Sequence, residues 1–167
     1  LAMLCALVSM FFCMIMHRTA KFFSTKIPNE YIRIAVGGAC IVFWTILVRT
    51  TDYNGAGMQI IEQAMNGQVR PEAFILKILF TAVTMGAGFK GGEIVPTFFI
   101  GATFGCFIGT VLGLDPGFAA AVGLIALFCG VVNCPIASIM LGLELFGSEC
   151  IVLFVVVCSV SYMLSGY

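Results

Sequence analysis

Glycine and proline cut the apolar sequence of this chain into runs too short to cross a membrane one by one. A simple helical crossing of roughly 30 Å of hydrocarbon takes about 20 apolar residues. The runs 1–16, 34–48, 74–85, 118–132, 135–146 and 151–164 all fall below that length, and only 94–114 reaches it. Short, interrupted helices of this kind belong to transporter folds, in which helices stop at mid-membrane and aim their ends at a substrate. The medium itself follows from composition: 61% of the residues are hydrophobic and 10% charged, against about 25% charged in soluble domains. So few charges cannot cover a water-facing surface. The expected architecture is an all-α, multi-pass membrane domain over residues 1–167, built as a bundle of short, broken and re-entrant helices. No internal repeat is visible, so the partner half of an inverted repeat would lie outside this chain.

Charge also excludes functions. Eight basic residues balance eight acidic ones, which removes the clustered Lys and Arg of a nucleic-acid binder. Eight cysteines include no CxxC pair, so neither a metal site nor a redox motif is expected. Cys5, Cys13, Cys40, Cys106, Cys129, Cys150 and Cys158 sit in apolar runs and read as small buried hydrophobes, whereas Cys134 borders a loop. No cofactor is implied. The chain opens on Leu1 without the charged start and cleavage site of a signal peptide, so it is expected to begin inside a longer protein. His17, Arg18, Lys21, Lys26 and Arg33 read as the main basic loop, with His17 at a membrane interface; the positive-inside rule places that loop in the cytoplasm.

The most informative stretch runs from Gly86 through Lys90-Gly91-Gly92-Glu93-Ile94-Val95-Pro96 to Gly101. Gly86, Gly88 and Gly91 satisfy GxGxxG, but a dinucleotide fold needs a preceding strand, and here an apolar helix precedes. Pro96 suits the first turn of a helix, where its missing N–H costs little. The pattern predicts a helix starting near Glu93, a sharp turn at Gly91 and Gly92, and free amides around Glu93 to Val95. Unpaired donors inside a membrane are costly, and an anion is a natural acceptor for them at the positive end of the helix dipole. The competing reading is a turn capped by the Glu93 side chain or by neighbouring carbonyls. Gly101, Gly105, Gly109 and Gly113 follow at intervals of four, one helical face on which backbones can approach closely.

The run from Asn133-Cys134-Pro135 to Gly147 repeats this grammar of polar cap, early proline, apolar helix and closing glycine. Glu144 within it is a carboxylate in an apolar helix, a functional candidate whose simpler reading is a hydrogen bond to a neighbouring helix. Asp52 or Asn54 is expected to cap a helix over 55–64.

These two stretches resemble the CLC family of anion channels and proton-coupled anion exchangers. Gly92-Glu93-Ile94-Val95-Pro96 stands where that family has GxFxP, followed by Gly101-Ala102, and Asn133-Cys134-Pro135 through Leu143-Glu144 is similar to its later helix. The resemblance implies the second half of a CLC subunit, with the first half, its gating glutamate and its GxGIP loop absent from these residues. It also implies a homodimer in a bacterial-type plasma membrane, and it puts the basic loop on the face opposite to the cytoplasm. Ile94 replaces the family's usual phenylalanine, and Glu93 stands where chloride transporters carry an aliphatic residue. Lys90-Gly91-Gly92-Glu93 is similar to the fluoride-selective branch, whose members exchange fluoride for protons. Some of that branch carry Thr where this chain has Val95. Tyr162 and Tyr167 lie near the family's late tyrosine, and neither is assigned to it.

The resemblance therefore implies fluoride/proton antiport, with backbone amides of Gly92, Glu93, Ile94 and Val95 holding the anion. An ionised Glu93 would occupy or repel the anion, whereas burial favours the neutral form of a carboxyl, which can donate to fluoride. A chloride channel or chloride/proton exchanger is the alternative, and a structural membrane subunit without flux a further one. An enzyme is not expected: no HExxH, Ser/His pair or paired Asp is present.

Overall fold

The structure, a computed structural model, describes residues 1–165; Tyr167 lies outside them. The described residues form α1 (Ala2–Lys26), α2 (Glu30–Val48), α3 (Met58–Met65), α4 (Ala73–Gly86), α5 (Ile94–Leu112), α6 (Pro116–Val132), α7 (Pro135–Phe146) and, after a short 3₁₀ turn, α8 (Ile151–Ser165), with no strand among them. The fold is the expected all-α bundle. Where the apolar runs alone suggest a single full crossing at 94–114, four stretches prove long and apolar enough to cross a membrane, Ala2–Lys26, Glu30–Val48, Ile94–Leu112 and Ser148–Ser165, because polar and charged residues at the run ends are helical too. At 1.5 Å per residue the 12 residues of α7 rise only about 18 Å, so α7 ends inside a bilayer of normal thickness.

The sequence explains most of the boundaries. Asn29 accepts a hydrogen bond from the Tyr31 N–H at 3.1 Å and starts α2. Asp115 accepts from the Phe118 N–H at 2.7 Å, with Pro116 as the first residue of α6. At its other end α6 stops on Asn133 in the left-handed conformation (φ 57°), because Pro135 cannot continue the helix.

Three expectations need correction. Residues 17–26 are helical and continue α1; the run of charges reads as a loop, but only Ile27, Pro28 and Asn29 separate α1 from α2. Neither Asp52 nor Asn54 caps α3, which begins after a left-handed Gly57 (φ 69°); Asn54 instead meets Thr45 of α2 at 3.2 Å. Asn133 closes α6 rather than opening α7, whose start at Cys134 has no side-chain cap.

The core is organised around α6, in which every residue from Ala119 to Gly130 is buried. A helix apolar on all sides must be surrounded, and α5, α1, α8, α7 and α3 all pack against it. The closest approach is to α5. A Cβ on Gly101 would come within 2.7 Å of the Gly123 carbonyl oxygen, one on Gly105 would overlap the Ala119 carbonyl oxygen, and one on Gly109 would overlap the Ala119 Cβ. Gly113 does not share this role: it is the left-handed C-cap of α5 (φ 70°) with nothing within 4 Å of an added Cβ. The interval of four continues past the point where the helix ends. Further along α6, Ser161 of α8 donates to the Ala126 carbonyl at 2.6 Å. By contrast the main helix partner of α2 among the described residues is α4, and Val42, Phe43, Ile46 and Leu47 of α2 are exposed.

Candidate functional site

The start of α5 is delivered by the turn that follows α4. That turn pivots on Gly88 (φ 95°), whereas Gly91 and Gly92 have ordinary negative φ, so the sharp turn sits three residues earlier than expected. Only glycine adopts such a φ at little cost. Arg33 of α2 holds the turn from outside, its Nε donating to the Ala87 carbonyl at 3.3 Å. A Cβ on Gly88 would lie 3.2 Å from the Arg33 guanidinium, and one on Gly37 of α2 would overlap the Ala87 Cβ. The turn is thus wedged between α4 and α2.

Glu93 is the N-cap residue of α5, with no side-chain capping bond. The first helical bond joins the Thr97 N–H to the Glu93 carbonyl at 3.1 Å, and the Thr97 hydroxyl donates to the same oxygen at 2.6 Å. Pro96 carries no N–H, so the donors that precede the first bond are the amides of Glu93, Ile94 and Val95. Among the described residues none of the three has a protein acceptor. The capped-turn reading is thereby excluded for the Glu93 side chain.

The surroundings of Glu93 differ from the expected buried helix start. In this chain Gly91 to Ile94 are exposed and burial begins at Thr97. Two cavities flank the α5 start, both bordered by Met85 of α4. Gly92, Val95 and Pro96 line one of about 510 Å³, together with Tyr53, Asn54, Lys77, Thr81 and Thr84. The Glu93 side chain lines the other, of about 210 Å³, with Cys13, Met16 and His17 of α1 and Met85 of α4. His17 accompanies Glu93 there, and its Nδ1 pairs with the Cys13 carbonyl at 3.0 Å.

Glu144 is not brought to this site. It is exposed near the end of α7, without a hydrogen bond or ion pair among the described residues. Sequence reasoning passed over Lys77, an interruption of an apolar run, which proves to be 98% buried. Its Nζ donates to the Tyr53 carbonyl at 3.1 Å and the Gly55 carbonyl at 2.6 Å, and sits 4.9 Å above the Phe99 ring. The legible signal was one cation in an apolar helix facing a polar, glycine-rich loop. No group of residues suited to a metal ion occurs among the described residues.

Comparison with known proteins gives one consistent result. The sequence pattern of the family described as voltage gated chloride channel matches residues 1–166. A chloride/fluoride channel protein of Pseudomonas syringae pv. tomato is 34% identical over 167 aligned positions, covering 96% of this chain and 37% of that protein. An H(+)/Cl(-) exchange transporter, ClcA, of Vibrio vulnificus is 26% identical over 144 positions, covering 78% of this chain and 31% of that one. Among solved structures, the crystal structure of a CLC-type fluoride/proton antiporter superposes with a TM-score of 0.94 at 29% identity, covering 98% of this chain and 42% of the other. The chain therefore spans less than half the length of each of these relatives.

Proposed function

Since the chain belongs to the voltage gated chloride channel family, we propose that it forms the second half of a subunit that moves a small halide across a membrane, fluoride in exchange for protons. The amides of Glu93, Ile94 and Val95 hold the anion, and the Glu93 carboxyl carries the proton. The observation that carries this reading is the helix start itself. Three donors without a protein acceptor stand at the positive end of a 19-residue helix, with a carboxyl group on the same residue as the first of them. A backbone site binds through dipoles and partial charge, so it releases its anion more readily than a buried arginine would.

The two cavities support a division of labour. Amide-bearing residues Gly92 and Val95 face the larger one, while the Glu93 side chain lies in the smaller one beside His17. Anion and proton would then approach the same helix start from different sides. The crystallised fluoride/proton antiporter favours fluoride, the chloride/fluoride channel protein of Pseudomonas is consistent with either halide, and the H(+)/Cl(-) exchange transporter of Vibrio favours chloride/proton exchange as the second reading. The outward apolar side chains of α7 and α8, such as Ile136, Met140, Val152 and Met163, suit lipid or the second copy of a homodimer in a plasma membrane.

The test is Glu93→Gln in the full-length protein reconstituted in liposomes. Fluoride-driven proton movement is expected to be lost, at least tenfold below the unsubstituted protein, with thermal stability unchanged because Glu93 is exposed and makes no side-chain bond. Proton-coupled flux at the original rate would sink the assignment. Chloride efflux exceeding fluoride efflux would favour the second reading.

A further inference from the structure

The larger cavity contains a charge imbalance that the reading above does not use. Lys77 enters it from α4, buried, with two neutral carbonyls and an aromatic ring as its partners. Among the described residues it makes no ion pair, and no carboxylate lines this cavity. The surrounding acidic residues do not line it: Glu72 is exposed at the start of α4, Asp52 lines two separate grooves beside α3, and Glu93 lines the smaller cavity. Carbonyl dipoles solvate an ammonium but leave its net charge intact, and a buried net charge is strongly favoured by a counter-ion. The remaining polar lining is built from short side chains, the hydroxyls of Thr81 and Thr84 and the amide of Asn54. The glycine-rich wall at Gly91 and Gly92 keeps the opposite side free of bulk.

We infer that this cavity is an anion antechamber, in which Lys77 concentrates a small monovalent anion before it reaches the amides at the start of α5. At about 510 Å³ it has room for a halide that keeps part of its water shell. Lys77 acts at a distance, through field rather than contact, because two of its three protons are already given to the loop. The anion is thus enriched without being held tightly. The same two bonds fix the loop at Tyr53 and Gly55, which keeps the ammonium from turning away towards solvent.

This inference rests on the halide-transport reading, and its test separates the two. Halide binding to the detergent-solubilised full-length protein would be measured by calorimetry, alongside flux from liposomes over a range of anion concentrations. Lys77→Met should raise the half-saturating anion concentration about tenfold while the maximal rate changes much less, and Lys77→Arg should restore most of the loss. Because Lys77→Met also removes two bonds to the loop, a pair of substitutions at Ala56, exposed on the cavity rim and without a side-chain bond, reads the field independently of folding. Ala56→Glu is expected to weaken halide binding three- to fivefold and Ala56→Lys to strengthen it. Both shifts should fade at high concentration of a bulky inert salt. Equal half-saturation for the two Ala56 variants, or a folded Lys77→Met protein with unchanged half-saturation, overturns the antechamber. Charge-dependent halide binding without any flux overturns the transport reading and leaves the antechamber standing.

Discussion

The two ends of α5 are built on opposite principles. From Gly101 to Gly109 the helix is pressed against α6 so closely that no side chain fits between the backbones. From Gly91 to Ile94, about two to three turns away, the chain is exposed, an added Cβ on Gly92 meets nothing within 4 Å, and amide donors have no protein acceptor. The same residue type serves both ends, for contact in one and for openness in the other. The difference teaches that the rigid end makes the open end possible. Helix-start donors left unfilled are unfavourable, and they persist only where the rest of the helix is anchored strongly enough to hold the backbone in place.

Substitutions along this one helix can break or sharpen the contrast. Gly105→Val should have the largest effect, because its Cβ would fall on the Ala119 carbonyl oxygen and 3.0 Å from the Gly123 Cα, both backbone atoms that cannot swing aside. A loss of about 3 kcal/mol is expected, read as thermal unfolding of the full-length protein in detergent; a loss below about 1 kcal/mol would mean that the helices are free to separate. Gly113→Ala probes the end of the stripe. With φ at 70° and open space around it, the change should cost about 1–2 kcal/mol from backbone strain alone, and a cost as large as at Gly105 would restore Gly113 to the packing face. Gly92→Ala should be the mildest, within about 0.5 kcal/mol in stability, while lowering halide flux several-fold because a methyl group then stands beside the anion donors. Flux equal to that of the unsubstituted protein would remove Gly92 from the proposed site.

Much of this was legible beforehand, for identifiable reasons. The helix start at Glu93 could be read because Pro96 tolerates only the first turn of a helix. The close packing of α5 could be read because glycines four apart share a face, although the same rule overran the helix end and included Gly113. What escaped was contact between segments distant in sequence. Lys77 meets the loop at Tyr53 and Gly55, 22 to 24 positions earlier, and Arg33 reaches Ala87 across 54. Neither pairing leaves a periodic trace. The charged end of α1 was misread as a loop because polarity usually marks a loop, whereas Lys and Arg are good helix formers when their heads can reach water.

The sequence by itself determined the medium, the helical class and the location of the unpaired donors, though not their exposure, since each follows from local composition and from proline and glycine at fixed offsets. Tertiary structure decided which of those features share a cavity. It set Lys77 and the α5 start around one space and Glu93 with His17 around another, because the turn at Gly88, wedged between α4 and α2, fixes the direction in which each side chain of the helix start can point.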